Sequence, residues 1–419
     1  MGLWSITGGN RLYGTVLPQG SRNGALALLP ACLAVGGVSV LERVPRVKDV
    51  ELTLEILRRL GCKVKREGDR VTVDSREASL ESVPVELMRQ LRSSVLFLGA
   101  MLGRFGCAEI PMPVGSVFGP RPVDLHLAAL QSMGADIRLQ DGVIRCEKSR
   151  LRGGEVLLPY PSVGATENAM LAACGCAGET VLRGCSKEPE IIELADFLCA
   201  AGVEIIGAGT ELMRICCDAC VGKVYHRLQA DRMAASALLC AVGACGGKLI
   251  LKEVISSHLQ PMLDVLGEMG CNIKIREQEL MLQSDGKLWA PSDPIVTGPY
   301  PRFPTDAMPL LLAASLKADG VTIVRERVFG GRLTQGRLLR RFGGDVSLTD
   351  DCAAVVTGVQ ELRAATVAIH ELWSGTAVLL AALQAEGESC IVDDGCISRG
   401  FAYLDATLRQ LGAELEFTE

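Results

Sequence analysis

Two kinds of apolar segment alternate along the chain. The first is apolar almost all round, as in "ALALLPACLAVGG" (25–37), "VLFLGAMLGRFG" (95–106), "AMLAACGCAG" (169–178) and "AVLLAALQAEG" (377–387). A helix with no polar face has nothing to offer water, so these segments predict buried helices. The second kind carries Arg, Lys, Glu and Gln on one side and predicts helices that face solvent on that side. Each of these ends in the same short pattern, Leu-x-x-apolar-Gly-x-x-apolar. The pattern begins at Leu57, Leu130, Leu198, Leu266, Leu339 and Leu408, and its glycines are Gly61, Gly134, Gly202, Gly270, Gly343 and Gly412. A glycine there suits the left-handed residue that closes a helix. A strand with period-two alternation follows, as in "CKVKREGDRVTV" (62–73), which turns back into a second strand.

Six copies of helix, strand, helix and strands predict an α/β protein in which sheet surrounds buried helices. A period near seventy residues is longer than the usual solenoid repeats, so closed units in two groups of three fit better. The expected lobes are 21–229, holding repeats one to three, and 1–20 with 230–419, holding repeats four to six. Their seam lies near "GKVYHRLQADR" (222–232). The N-terminal segment "SITGGNRLYGTVL" precedes the first repeat and is expected to close the second lobe beside the C-terminus.

Composition narrows the function classes. The chain has 419 residues, enough for two domains. No apolar run reaches the ~20 residues of a membrane span. The first residues lack the basic and apolar regions of a signal peptide, and Ile6 stands where an N-myristoylation motif needs Ser or Thr. The expectation is a cytoplasmic protein that does not act at a membrane. A net charge of −6 without a basic run argues against nucleic acid as a partner. The 17 cysteines sit mostly in apolar runs and read as small buried hydrophobes of a reducing compartment. Cys217 and Cys220 form a lone C-x-x-C. With no second pair and no histidine pair at ligand spacing, the sequence predicts no metal site.

The segments "QGSRNGALALLPA", "VPRVKDVELTLEILRRLG", "LRSSVLFLGAMLGRFG", "RPVDLHL", "PSVGATENAML", "EPEIIELADFL", "DRMAASALL", "FPTDAMPLLLA" and "SRGF" occur in that order. Together they resemble the UDP-N-acetylglucosamine enolpyruvyl transferases over essentially the whole chain, with "RPVDLHL" and "SVGATEN" the most specific. The sister family that makes enolpyruvyl-shikimate phosphate shares the fold but carries a "GSKS"-type first loop, which is not found here. The resemblance implies a two-lobed inside-out α/β barrel of six βαβαββ units, three per lobe, with the active site between lobes that close on substrate. It implies two small-molecule substrates, UDP-N-acetylglucosamine and phosphoenolpyruvate, and no cofactor. The reaction would be the first committed step of peptidoglycan synthesis.

Transferring an enolpyruvyl group needs cations for phosphate and carboxylate, a base at the sugar hydroxyl and an acid toward C3. Guanidinium forks match both anions, so no metal is called for. By resemblance, Arg22 and Asn23 in the loop before a buried helix contact phosphoenolpyruvate and sugar, and Arg92, Arg121 and Arg399 are further anion clamps. Asp306, at the opening of a predicted helix, takes the 3′-hydroxyl proton and at the same time serves as a helix-start acid. Arg121, Pro122, Val123, Asp124 and Leu125 with Ser162, Val163 and Gly164 resemble the uridine-diphosphate contacts, and Val328 and Arg332 complete the substrate-binding set. Glu188, Glu190, Asp231 and Arg232 fit supporting or hinge positions. His126 reads as a structural histidine anchoring the loop before it.

The chain departs from the family at four positions. "PVGSVFGPRP" resembles the mobile lid (112–122), but Ser116 stands where the family has cysteine, or in a few members aspartate, as the acid toward C3. Cysteine and aspartate ionise near pKa values of about 8.5 and 3.9; a serine hydroxyl is a far weaker acid. Arg22 replaces a lysine. Glu371 and Trp373 replace an aspartate and an arginine. The phosphoenolpyruvate half of the pocket is therefore altered and the nucleotide-sugar half is not. Two other readings follow from this: a catalytically impaired paralogue that binds UDP-sugar and regulates or partners cell-wall enzymes, or an enolpyruvyl transferase with a different uridine-nucleotide acceptor.

Overall fold

A computed structural model of the chain describes residues 2–80, 83–113, 123–147, 150–220, 222–349 and 352–418. The chain divides into two compact units, one of Gly20–Gln229 and the other of Met1–Gln19 with Ala230–Glu419.

In the unit Gly20–Gln229, three apolar helices pack on one another: Arg22–Val35, Leu96–Phe105 and Val163–Ala173. Their side chains are buried nearly all round, as the absence of a polar face requires. Leu96–Phe105 and Val163–Ala173 approach closely because glycines face the contact. A Cβ at Gly99 would lie 2.3 Å from the Asn168 carbonyl oxygen, and one at Gly103 would lie 2.6 Å from that of Leu171. The half-polar helices Lys48–Arg59, Asp124–Ser132 and Pro189–Ala200 each follow a core helix and the strand leading out of it. Among the described residues, three sheets belong to this unit. One, for example, runs in the order Lys223–Arg227, Val38–Glu42, Arg70–Asp74, Lys63–Glu67; its first pair is parallel and its other pairs antiparallel.

The second unit repeats the plan. Helices Arg232–Cys245, Met308–Ala314 and Leu372–Gln384 form its interior, with three four-stranded sheets among the described residues. The sixth repeat is completed from the other end of the chain. Strand Gly2–Thr7 lies antiparallel between Glu388–Asp393 and Glu414–Thr418, taking the place that the returning hairpin strand fills in the other repeats. Leu12–Val16 then pairs parallel with Gly247–Lys252 in the sheet of the fourth repeat.

All six repeat glycines adopt positive φ, from +83° at Gly343 to +100° at Gly270. One repeat departs from the expected form. The segment Gly330–Phe342, which carries the fifth copy of the pattern, winds as 3₁₀ turns rather than as an amphipathic α-helix. Three glycines near its start and middle, Gly330, Gly331 and Gly336, lower α-helix propensity, and the tighter winding is the physical result.

Candidate active site

In the unit Gly20–Gln229, the first turn of the core helix carries Arg22. Ser21 caps that helix, its Oγ accepting from the Gly24 N–H at 2.9 Å. Arg22 is therefore the first helical residue rather than part of the preceding loop. Its guanidinium forms an ion pair with Asp49, whose side chain is buried, and Nη1 donates to Asn23 Oδ1 at 3.2 Å. Sequence reasoning misses Asp49. Its only signal is an acid in the first turn of a helix, which is too common to single out.

Three of the segments that the resemblance singled out meet at one side chain. Asn168, from "SVGATEN", is fully buried; its Nδ2 donates to the Val95 carbonyl at 2.9 Å and to His126 Nδ1 at 2.9 Å, and its Oδ1 accepts from the Gly99 N–H at 2.7 Å. Val95 ends the 3₁₀ turn that Arg92 opens, and His126 belongs to "RPVDLHL". The His126 ring also lies against Gly164, where a Cβ would come within 2.8 Å of the imidazole. Burial pushes the His126 pKa down to about 4, against a smaller opposing pull from Asp124. His126 is thus a neutral strut accepting at Nδ1, which holds the turn of Asp124 and Leu125 to that of Ser162, Val163 and Gly164.

Those turns open two helices. Val123 precedes Asp124–Ser132 without a side-chain cap, and Asp124 is exposed. Ser162 caps Val163–Ala173 through Oγ and the Ala165 N–H at 3.4 Å. Arg92 is exposed at the start of its turn. Ser116, Arg121, Pro122 and all of the lid from residue 114 to 122 lie outside the described residues.

Carboxylates that the sequence left in supporting roles are buried in the same unit. Glu188 accepts from Ser186 Oγ, and Glu190 lies in the first turn of its helix. Burial first, then the nearby charges of Glu190 and Glu188, push the Glu167 carboxyl well above the ordinary carboxylate range. Glu193, also missed in the sequence, accepts from the Gln229 N–H at 2.6 Å and stands 3.6 Å from His226 Nε2.

In the other unit, Asp306 corrects the sequence reading. The helix begins at Met308, so Asp306 lies ahead of it and supplies no cap. Its Oδ1 instead accepts from Arg332 Nη1 at 2.6 Å, and the same Nη1 donates to Thr305 Oγ1 at 2.9 Å. Arg332 is buried, with its guanidinium 5.4 Å from the Phe329 ring centroid. Behind this pair sits Glu326, only 2% exposed. Its Oε1 accepts from Thr297 Oγ1 at 2.8 Å and from the N–H groups of Val328 and Phe329 at 2.7 and 3.0 Å; its Oε2 accepts from Thr305 Oγ1 at 2.8 Å. A single carboxylate therefore holds the backbone at Val328 and the residue next to Asp306. No sequence signal marks Glu326, which sits amid arginines at the end of a strand.

Asp231 caps Arg232–Cys245, its Oδ1 accepting from the N–H groups of Met233 and Ala234 at 2.9 and 3.0 Å, and Arg232 lies 5.9 Å over the Tyr300 ring. Gln19 donates to the Gly400 carbonyl at 2.8 Å and accepts from the Ala402 N–H at 3.0 Å, bracing the turn that ends at Arg399. Trp373 is buried, edge-on to Phe401 with ring centroids 5.9 Å apart, and Glu371 caps Leu372–Gln384 through the Ser374 N–H at 2.8 Å. Both side chains are thus engaged within this unit, one as a helix cap and the other in a ring contact. One described cluster has donor atoms close enough for a cation, Asp393, Asp394 and Cys396, within 4.8 Å of one another. Asp393 Oδ1 already accepts from two backbone N–H groups, and Asp394 faces His370 at 2.9 Å.

The family model for EPSP synthase (3-phosphoshikimate 1-carboxyvinyltransferase) matches residues 6–408. The chain belongs to the EPSP synthase family. It is 39% identical over 415 residues to UDP-N-acetylglucosamine 1-carboxyvinyltransferase 2 of Caldanaerobacter subterraneus subsp. tengcongensis, with 99% of each chain covered. It is 34% identical to the protein of the same name from Clostridium acetobutylicum, with 98% of each covered. Among solved structures it resembles the enolpyruvyl transferase NikO from Streptomyces tendae, with a TM-score of 0.89 at 23% identity over 100% of this chain and 99% of that one. EPSP synthase from Acinetobacter baumannii follows with a TM-score of 0.75 at 17% identity, both chains fully covered. The inside-out arrangement of six repeats is this family's fold.

Proposed function

We propose that the chain transfers the enolpyruvyl group of phosphoenolpyruvate to the 3′-hydroxyl of UDP-N-acetylglucosamine with release of phosphate, the step that commits the sugar to peptidoglycan. The observation carrying this reading is 34–39% identity, end to end, to relatives that bear that activity as their name. Asp306 accepts the hydroxyl proton, and the Arg332 contact at 2.6 Å holds the carboxylate in one orientation. The alkoxide adds to C2 as C3 takes a proton from Ser116 or from a water that Ser116 orients. The C2–O bond to phosphate then breaks, phosphate leaves with the proton that Asp306 took, and one C3 proton passes back to the group that donated it as the enol double bond reforms. Arg22, Arg92, Arg121 and Arg399 are the anion clamps, and Asn23, Pro122, Val123, Asp124, Leu125, Ser162, Val163, Gly164 and Val328 contact the nucleotide sugar. On this reading the protein works in the cytoplasm.

A phosphate-release assay with both substrates tests this: release that requires the nucleotide sugar supports it, and a blank-level signal at micromolar enzyme counts against it. Two observations favour a second reading. Ser116 lacks the acidity of the family's cysteine, and Trp373 is packed against Phe401 where the family has a cation. On that reading the chain binds UDP-sugar without turnover, and calorimetry with the nucleotide sugar would register binding while the phosphate assay stays silent.

A further inference from the structure

The C-x-x-C of Cys217 and Cys220 takes no part in the chemistry above. The two thiols are in contact, with Sγ atoms 3.7 Å apart, and both residues are half-buried. They lie in the irregular connection between strands Leu212–Cys216 and Lys223–Arg227, outside any helix or strand. The backbone there is not committed to a ladder that bond formation would have to break. Further thiols gather around them. Cys216 precedes the pair, and Cys174, at the end of helix Val163–Ala173, has its thiol pushed up by burial and then by the charges of Cys220 and Cys217. The sequence shows a lone C-x-x-C; the fold sets it beside a third cysteine more than forty residues away.

We infer that Cys217 and Cys220 form a thiol–disulfide exchange site, a dithiol that a low-molecular-weight disulfide such as oxidised glutathione converts to an intramolecular disulfide. One thiolate attacks a sulfur of the small disulfide, forming a mixed disulfide and expelling one small thiolate. The second cysteine, already in contact, attacks the protein sulfur of that mixed disulfide and expels the other small thiolate. Each cysteine gives up its proton, each departing thiolate takes one, and the two electrons leaving the cysteine pair reduce the small disulfide to two thiols. The protein sulfurs must close from 3.7 Å to the ~2.05 Å of a disulfide. The second step is intramolecular, so the mixed disulfide does not accumulate. Burial, followed by Cys220 and Asp218, holds the Cys217 proton on, up to about 12, so exchange quickens as pH rises toward that value.

The test treats the full chain with oxidised glutathione at pH 8.5 and follows it by intact-mass and peptide mass spectrometry after alkylation. Cys199 and Cys352, the exposed cysteines, serve as internal references that are capped without closing. The expected result is loss of two hydrogens with a link between Cys217 and Cys220, and no adduct retained on either. The single variants Cys217→Ser and Cys220→Ser should each hold a stable glutathione adduct on the remaining cysteine. Wild type in which Cys217 and Cys220 stay alkylatable while Cys352 is fully capped overturns the inference. So does a stable adduct on the wild-type pair, or a link from either to Cys174 or Cys216. A circular dichroism spectrum matching wild type establishes that each variant is folded before it is read.

Discussion

Single side chains in this protein act mainly by fixing backbone. Glu326 is the strongest case, a buried carboxylate with four donors aimed at it. Hydrogen bonds to a charged buried group contribute about 1.5–3 kcal/mol each, and removing the charge leaves donors poorly matched. Glu326→Gln should lower the unfolding midpoint and raise KM for the nucleotide sugar about tenfold, equivalent to 1.4 kcal/mol, with a smaller change in kcat. Thermal unfolding and steady-state kinetics check this, and an unchanged KM would separate Glu326 from substrate positioning. His126 acts similarly while neutral. Its folded pKa of about 4 lies below the ordinary value near 6.5, so the unfolded chain binds the proton more readily. The stability tied to its neutral form is complete above pH 6.5 and drains away as pH falls toward 4, by about 3 kcal/mol over that window. Urea unfolding at pH 7.5 and 4.5 should show His126→Gln losing correspondingly less than wild type.

At the scale of elements, glycine does two separate jobs. Gly343 closes the helical segment Gly330–Phe342 of the fifth repeat at φ +83°, and a Cβ there would meet no described atom within 4 Å, so Gly343→Ala should cost only the left-handed backbone penalty, about 1–2 kcal/mol. Gly99 is helical, but a methyl group there would strike the Asn168 backbone and side chain at 2.3 and 2.5 Å. Gly99→Ala must therefore push helix Leu96–Phe105 from Val163–Ala173 and disturb the Asn168 junction that joins the segments of Arg92, His126 and Gly164. A loss of about 3 kcal/mol is expected. Denaturant unfolding of the two variants should rank them in that order, and equal losses would contradict the steric account. The repeat glycines were legible because a helix end needs the same backbone state six times. Gly99 was visible as a residue but not as a contact, since its partner is some seventy positions away.

For the whole molecule, the chain's first strand belongs to its last repeat. Gly2–Thr7 carries the buried Trp4 and Ile6 and hydrogen-bonds on both sides. Deleting residues 1–8 should leave two strand edges unpaired and open the interior of the unit that contains Ala230–Glu419. The expected outcome is insoluble protein, or loss of near-ultraviolet dichroism and of a cooperative transition. A soluble deletion with wild-type melting would mean that the strand is dispensable.

What the sequence determined by itself was whatever depends on local pattern: the buried helices, the half-polar ones, the glycines between them and a count of six. It also marked the family segments, whose residues stand close together in the chain. The tertiary structure alone decided the rest, because the partners are distant in sequence. Arg22 meets Asp49, Asp306 meets Arg332 instead of capping a helix, Asn168 gathers three segments, and Trp373 turns onto Phe401. Hydrophobic periodicity reports which side of an element avoids water, a property of neighbouring residues. Which buried polar group satisfies which other depends on how the elements stack, and a residue's neighbours along the chain carry almost none of that information.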